Sequence, residues 1–265
     1  MKINKIMELE NILFEVKGKI AYITINRPKQ MNALNKATFV DLEKVIDEVN
    51  SNETVLGVIV TGSGEKSFIA GADIKEFANF SVAEGEELSR NGMRIFKKIE
   101  DSKKPFVAAI NGFALGGGLE LAMSCHIRVA EEHALFGQPE VGLGVTPGYA
   151  GTQRLTQLVG KGKAIELLMS AELIKSDVAL DYRLVNYVVE AGKSVEKAEG
   201  LLAKINKQSP MAVAAVIRCV NDFYATGIDG FNTEAVEFGK CFGTEDFKEG
   251  TTAFMNRSKP EFPGK

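Results

Sequence analysis

The chain opens on an alternating pattern. Residues 12–17 and 20–25 read as two strands joined at Gly18. In the second, Ile20, Tyr22 and Thr24 alternate with Ala21, Ile23 and Ile25, so both faces are expected to be covered. The period then lengthens. Over residues 38–49, Phe39, Leu42, Val45, Ile46 and Val49 fall on one helical stripe. Residues 55–60 form a short apolar run ending at Thr61-Gly62, the pattern of a buried strand. Helical spacing returns over 86–99, with Leu88, Ile95, Phe96 and Ile99 inward and Pro105 as the stop. Residues 106–110 read as a strand ended by Asn111-Gly112.

Three consecutive glycines, Gly116 to Gly118, precede a helical stretch at 119–125. Strands are expected at 127–130 and 134–136, then a loop rich in glycine and proline over 137–151. Helices follow at 152–159, 163–169 and 176–183, with a strand at 186–189 between them and the last part. Beyond Ser194 every pattern is helical: 195–207, 210–224 with Pro210 in the first turn, 230–241 and 247–257. The order predicts an α/β fold whose βα units cover sheet faces. It divides the chain into a core over 1–195 and a helical region over 196–265, a cap or an oligomerisation arm. The polar tail 258–265, with two prolines, is expected to be mobile.

Composition narrows the class. In 265 residues, 45% hydrophobic and 25% charged positions are ordinary for a globular protein with a sizeable core. The net charge of −3 argues against nucleic acid as a partner, while a few local cations suffice for a small polyanion. Cys125, Cys219 and Cys241 share no C-x-x-C spacing and read as reduced, buried thiols. The stretch 1–16 lacks the apolar run of a secretory leader, and no run approaches the ~20 residues that span a bilayer. A cytoplasmic protein without a membrane partner is expected.

Several kinds of chemistry are missing from the sequence. It has no G-x-x-x-x-G-K phosphate loop, no G-x-G-x-x-G after a strand and no G-x-S-x-G elbow. His126 and His133 stand outside any H-E-x-x-H pattern and read as structural, so no metal site is expected. Carboxylates and backbone donors remain.

Three segments carry them. In residues 67–76, SFIAGADIKE, small residues after a strand-like run let a ligand approach the backbone. An ordinary tight turn with Asp73 capping a helix near Ile74 explains the same residues. In residues 110–120, INGFALGGGLE, three glycines open a helix, at about 1 kcal/mol each relative to alanine inside one. Close helix-to-sheet packing is one reason for them. Free amide N–H groups at the positive helix end, aimed at a developing oxyanion with Glu120 a turn further on, is another. In residues 136–148, FGQPEVGLGVTPG, Glu140 sits in a rigid apolar loop. A lone loop glutamate is usually a solvated charge, but these flanks weaken that reading. Two carboxylates beside one set of backbone donors suit acid–base work on a carbonyl compound.

Taken together, AGADIKE, INGFALGGGLELAMSCHIRVA and FGQPEVGLGVTPGYAGTQRL, with NRPKQMNAL near the start, resemble the enoyl-CoA hydratase, or crotonase, family. The similarity runs from about residue 12 to residue 259 and is strongest to short-chain bacterial crotonases of butyrate-type metabolism. The resemblance implies an α/β fold with a ββα spiral core and a helical C-terminal region that trimerises, in a hexamer built as a dimer of trimers. It implies reversible hydration of short-chain 2-enoyl-CoA, such as crotonyl-CoA, to the 3-hydroxyacyl-CoA, within fatty acid and butanoate metabolism.

Carried onto this sequence, the backbone N–H groups of Ala72 and Gly117 would form the oxyanion hole. Glu120 would activate the water, Glu140 would exchange the proton at Cα, and Gly148 would lie beside that water. Ala70, Asp73, Ile74 and Lys75 would line the path of coenzyme A, with Arg27 and Lys259 as further contacts. No cofactor is implied beyond the coenzyme A of the substrate. Isomerases, thioester hydrolases, dehalogenases and decarboxylases share the fold, as do non-catalytic acyl-CoA-binding or RNA-binding relatives. The pair Glu120 and Glu140 favours the hydratase among them. Acyl length would depend on what closes the pocket, with residues 77–92 the expected closure.

Overall fold

The computed structural model describes residues 7–265; residues 1–6, which the expected core and the leader reading both included, lie outside the described residues. The elements in chain order are β1 (Ile12–Lys17), β2 (Ile20–Ile25), α1 (Lys36–Ser51), β3 (Gly57–Gly62), β4 (Ser67–Ala70) and α2 (Val82–Glu100). Next come β5 (Phe106–Ile110), β6 (Phe113–Leu115), α3 (Gly117–Ser124), β7 (Ile127–Glu131) and β8 (Leu135–Gly137). Then follow α4 (Gly151–Val159), α5 (Lys161–Ser170), β9 (Ile174–Lys175), α6 (Ser176–Asp181) and β10 (Tyr187–Val189). Four helices end the chain: α7 (Ser194–Ile205), α8 (Pro210–Phe223), α9 (Gly230–Cys241) and α10 (Glu245–Asn256).

Two sheets share the strands in turn. One has the order β1-β2-β3-β5-β7-β10 and the other β4-β6-β8-β9. Each of the pairs β3/β4, β5/β6 and β7/β8 gives one strand to each sheet. Repetition of that step makes the ββα spiral that the resemblance implies. Within the larger sheet only the β1/β2 pair is antiparallel. Parallel strands need both faces covered. The inner face packs with α1, α2 and α3 through residues such as Val58, Val60, Ala108, Ile46, Phe96 and Leu119. The outer face, Ile59, Val107, Ala109 and Val129, is covered by Ala198 and Leu202 of α7. The expected boundary at 195/196 therefore falls inside a helix that closes the sheet.

The helices follow their local signals. The α1 stripe is buried from Phe39 to Val49, and Asn35 caps its start by accepting from Thr38 N at 2.9 Å. Ser81 and Glu84 form a capping box on α2, which begins four residues before the expected position. Ser209 caps α8 just before Pro210.

Of three short strands, β6 and β9 were not among the expected elements, and β4 was expected only as the strand-like run that opens residues 67–76. They run only two to four residues, too short to show a period, and gain their pairing from neighbouring turns of the spiral. The tail is also not free, contrary to expectation. Glu245 N donates to Lys265 O at 2.8 Å, and Gly264 N donates to the buried Asp246 Oδ1 at 2.7 Å. Ser209 Oγ donates to the other oxygen of that carboxylate, so one buried acid ties α8, α10 and the tail together.

Candidate active site

The site forms where the β6–α3 step passes the β4 end. Leu34 pairs with Ala72 in a parallel bridge: Leu34 N donates to Gly71 O and Asp73 N to Leu34 O. This pairing turns the Ala72 N–H to the opposite side. Gly117 is the first residue of α3, so its N–H has no partner inside the helix. Among the described residues, no protein acceptor takes either N–H.

Glycine is required at the join. Gly116 adopts φ +48°, a conformation that side chains resist, and a Cβ there would lie 2.6 Å from Glu140 Oε1. A Cβ on Gly118 would lie 2.1 Å from the Ile69 carbonyl oxygen, so α3 can rest on β4 only without a side chain at that position. Close packing, one of the two reasons for three glycines, holds at Gly118, and the neighbouring Gly117 N–H is left open.

Glu120 is 1% exposed. Its Oε1 accepts from Tyr149 N and Gly151 N, each at 2.7 Å. Both N–H groups reach one oxygen because Ala150 between them takes the left-handed conformation, φ 72°. Strain of this kind persists only where surroundings enforce it. Here Arg154 enforces it, donating to Tyr149 O at 2.9 Å while paired with Glu100 at 2.7 Å. Glu140 is half-buried on a short 3-10 turn, Pro139–Leu143, within the expected loop. In the orientation that satisfies its amide, buried Gln138 donates to both Glu140 oxygens, at 3.1 and 3.2 Å. Gln138, Ala150 and Arg154 were not anticipated; the first two carry no sequence signal beyond adjacency to the motif.

Burial, and then the charge of Glu140, push Glu120 up to about 7. Burial raises Glu140 as well. The pair thus keeps a proton at a pH where free carboxyls have lost theirs. A carboxyl raised in the folded state holds its proton more tightly there than in the unfolded chain. Folding is therefore progressively disfavoured as pH climbs from the unfolded carboxyl value, ~4.3, to about 7, and the penalty is constant above that. Glu120→Gln keeps an oxygen for the two donors and carries no charge. It is expected to melt above the parent at pH 8, with the gap closing towards pH 5. An equal gap at both pH values would refute the assignment.

The remaining expected residues are distributed unevenly. Ala72 and Asp73 line a cavity of about 600 Å³ with Leu34, Phe39, Phe77, Phe80, Leu88 and Tyr149. Several of these fall in the expected closure, 77–92. Ala70 is half-buried at the end of β4, and Ile74 and Lys75 are exposed on the turn that follows. Asp73 stands at the N-cap of that turn, as expected, but its side chain makes no capping hydrogen bond. Its carboxylate instead pairs with Arg27 at 3.0 Å, and Arg27 also donates to the Ala33 carbonyl. A charge so engaged, and 12% exposed, is a brace for the Ala72 bridge more than an open anion contact. Gly148 borders open space, and its carbonyl accepts from Ser89 Oγ at 2.6 Å. Lys259 is exposed in the tail and does not line the cavity.

A family model described as enoyl-CoA hydratase/isomerase matches residues 15–265. The chain is 48% identical to a short-chain-enoyl-CoA hydratase of Clostridium acetobutylicum, covering 96% of this chain and 98% of that one. It is 46% identical to a crotonyl-CoA hydratase of Syntrophomonas wolfei, covering 98% and 100%. A crystal structure of an enoyl-CoA hydratase from Bacillus anthracis superposes with a TM-score of 0.91 at 33% identity, over 97% of this chain and 100% of that one.

Proposed function

The chain belongs to the enoyl-CoA hydratase/isomerase family, and on that premise we propose that it is a hydro-lyase adding water reversibly to short-chain trans-2-enoyl-CoA. Crotonyl-CoA and 3-hydroxybutyryl-CoA are the expected pair. The observation that carries the mechanism is the convergence of buried Glu120 and half-buried Glu140, both raised by burial, on a helix start with open amides.

Attack of water at Cβ succeeds only if negative charge can rest on the thioester oxygen. The N–H groups of Ala72 and Gly117 receive that charge. In hydration, ionised Glu120 takes a proton from water as its oxygen bonds to Cβ, and protonated Glu140 delivers a proton to Cα. Dehydration runs the same steps backwards: Glu140 removes the Cα proton and Glu120 protonates the departing hydroxyl. Burial raises both carboxyls, so each can hold the proton that its turn in the cycle requires. No step calls for a metal or a separate cofactor, because coenzyme A arrives with the substrate and its binding energy positions the reacting end.

The coenzyme path follows Ala70 and residues 72–75, with exposed Ile74 as its apolar contact. Lys259 enters it only from a neighbouring subunit. The C-terminal helices support assembly: Phe223, Phe231, Phe238 and Phe254 all lie more than half exposed on α8, α9 and α10. A trimer burying these faces, doubled into a hexamer, accounts for them. No helix among the described residues is long and apolar enough to cross a membrane. A cytoplasmic setting, without nucleic acid, fits the charge and composition, and fatty acid or butanoate metabolism fits the substrate.

Labelled water separates this reading from the thioester hydrolase that shares the fold. Crotonyl-CoA turned over in ¹⁸O-water is expected to gain the label on C3 of a hydroxyacyl-CoA. Label in a free carboxylate would assign a hydrolase instead, and none at all would assign an isomerase.

A further inference from the structure

Tyr149 acts through two separate parts. Its main-chain N–H holds Glu120 at 2.7 Å, and its carbonyl is anchored by Arg154. Its ring lies directly on the oxyanion residue: a Cβ on Gly117 would stand 3.1 Å from ring atom Cε2. On the other side the ring presses against α2, where a Cβ on Gly92 would fall 2.2 Å from Cδ1. Phe39 and Phe96 meet it edge-on, with centroids at 5.1 and 5.7 Å. With 6% exposure and these four contacts, the ring is fixed in place and cannot swing aside as a loop side chain would.

This fixed ring borders both the reaction centre and a cavity. It lies on Gly117, and its main chain holds Glu120, where the thioester oxygen and Cβ are held in the reading above. It also lines the cavity of about 600 Å³, which Ala72 reaches too and whose apolar wall comes from Phe39, Phe77, Phe80 and Leu88. Acyl carbons beyond Cβ leave the reaction centre within reach of residue 149. We infer that the Tyr149 ring is the acyl-length determinant, a rigid partition that stops short chains at the reaction centre and denies longer ones the cavity it lines. The inference rests on the hydratase reading and names the residue that makes it short-chain.

The test compares kcat/KM for trans-2-butenoyl-, hexenoyl- and octenoyl-CoA in the parent, Tyr149→Ala, Tyr149→Leu and Tyr149→Phe. A hydrophobic pocket discriminates a methylene by roughly 10- to 200-fold. The hexenoyl-to-butenoyl ratio is expected to rise by about 10-fold or more in Tyr149→Ala. Tyr149→Leu moves the ratio in the same direction and reads it out if the alanine variant does not fold. Tyr149→Phe, which keeps the volume, retains the parent ratio. A general structural lesion lowers all three substrates together and leaves the ratio alone. An unmoved ratio in folded, active Ala and Leu variants overturns the proposal, as does a Phe variant that shifts it as far as alanine. A parent inert towards all three substrates overturns the hydratase reading, and this proposal with it; an active parent separates the two failures.

Discussion

Glutamine in place of Glu140 is expected to lower kcat for hydration of crotonyl-CoA by about 10²- to 10⁴-fold, the usual worth of a positioned proton donor. The substitution keeps size and shape. It removes the group proposed to give Cα its proton. The fold should be little disturbed, because Glu140 is half-buried on a short turn and its carboxylate is held by Gln138 rather than by the core. Glu120→Gln should lose activity on the same scale by leaving water without a base, yet gain stability above neutral pH. The two variants therefore share a kinetic defect and differ in pH-dependent melting. KM should move far less than kcat in both, since neither carboxyl holds the coenzyme. Near-normal turnover in either variant would contradict the division of roles.

Proline at position 117 is the second large effect. It removes the Gly117 N–H from the proposed oxyanion pair, and one such donor is worth about 10²- to 10³-fold in kcat. The helix itself tolerates the change better than the sequence suggests, because Gly117 is the first residue of α3, where proline is favoured. The ring carbons do crowd Tyr149, 3.1 Å from the position of a Cβ. Gly117→Ala supplies the control: it adds the same Cβ and keeps the N–H. The difference between the two variants isolates the donor. Equal activity in both would assign the whole loss to crowding and remove Gly117 from the oxyanion hole.

What the sequence reveals of this fold depends on element length. The α1 stripe, the α2 stripe and the edges of β1, β2 and β5 are legible because each spans enough residues to display a period. The second sheet is not, since β4, β6 and β9 acquire their partners only when the spiral closes. The docked tail depends on Asp246, whose buried carboxylate looks in sequence like any acid in a first helical turn. The site shows the same division. Glu120, Glu140 and the glycines stand out as residue types in unusual settings. Ala150 in a left-handed turn, Gln138 over Glu140 and the wedged ring of Tyr149 are decided by contacts across the fold. Asp73 shows how a local rule misleads: a good helix-capping residue is drawn away by Arg27, 46 positions distant in the chain.

The central claim is a hydratase working through two glutamates, and the most direct test is the enone absorbance of crotonyl-CoA mixed with the purified chain. The account predicts rapid loss of absorbance with 3-hydroxybutyryl-CoA as product, and little or no loss with Glu120→Gln or Glu140→Gln. Absorbance that stays constant with well-folded parent protein would contradict it.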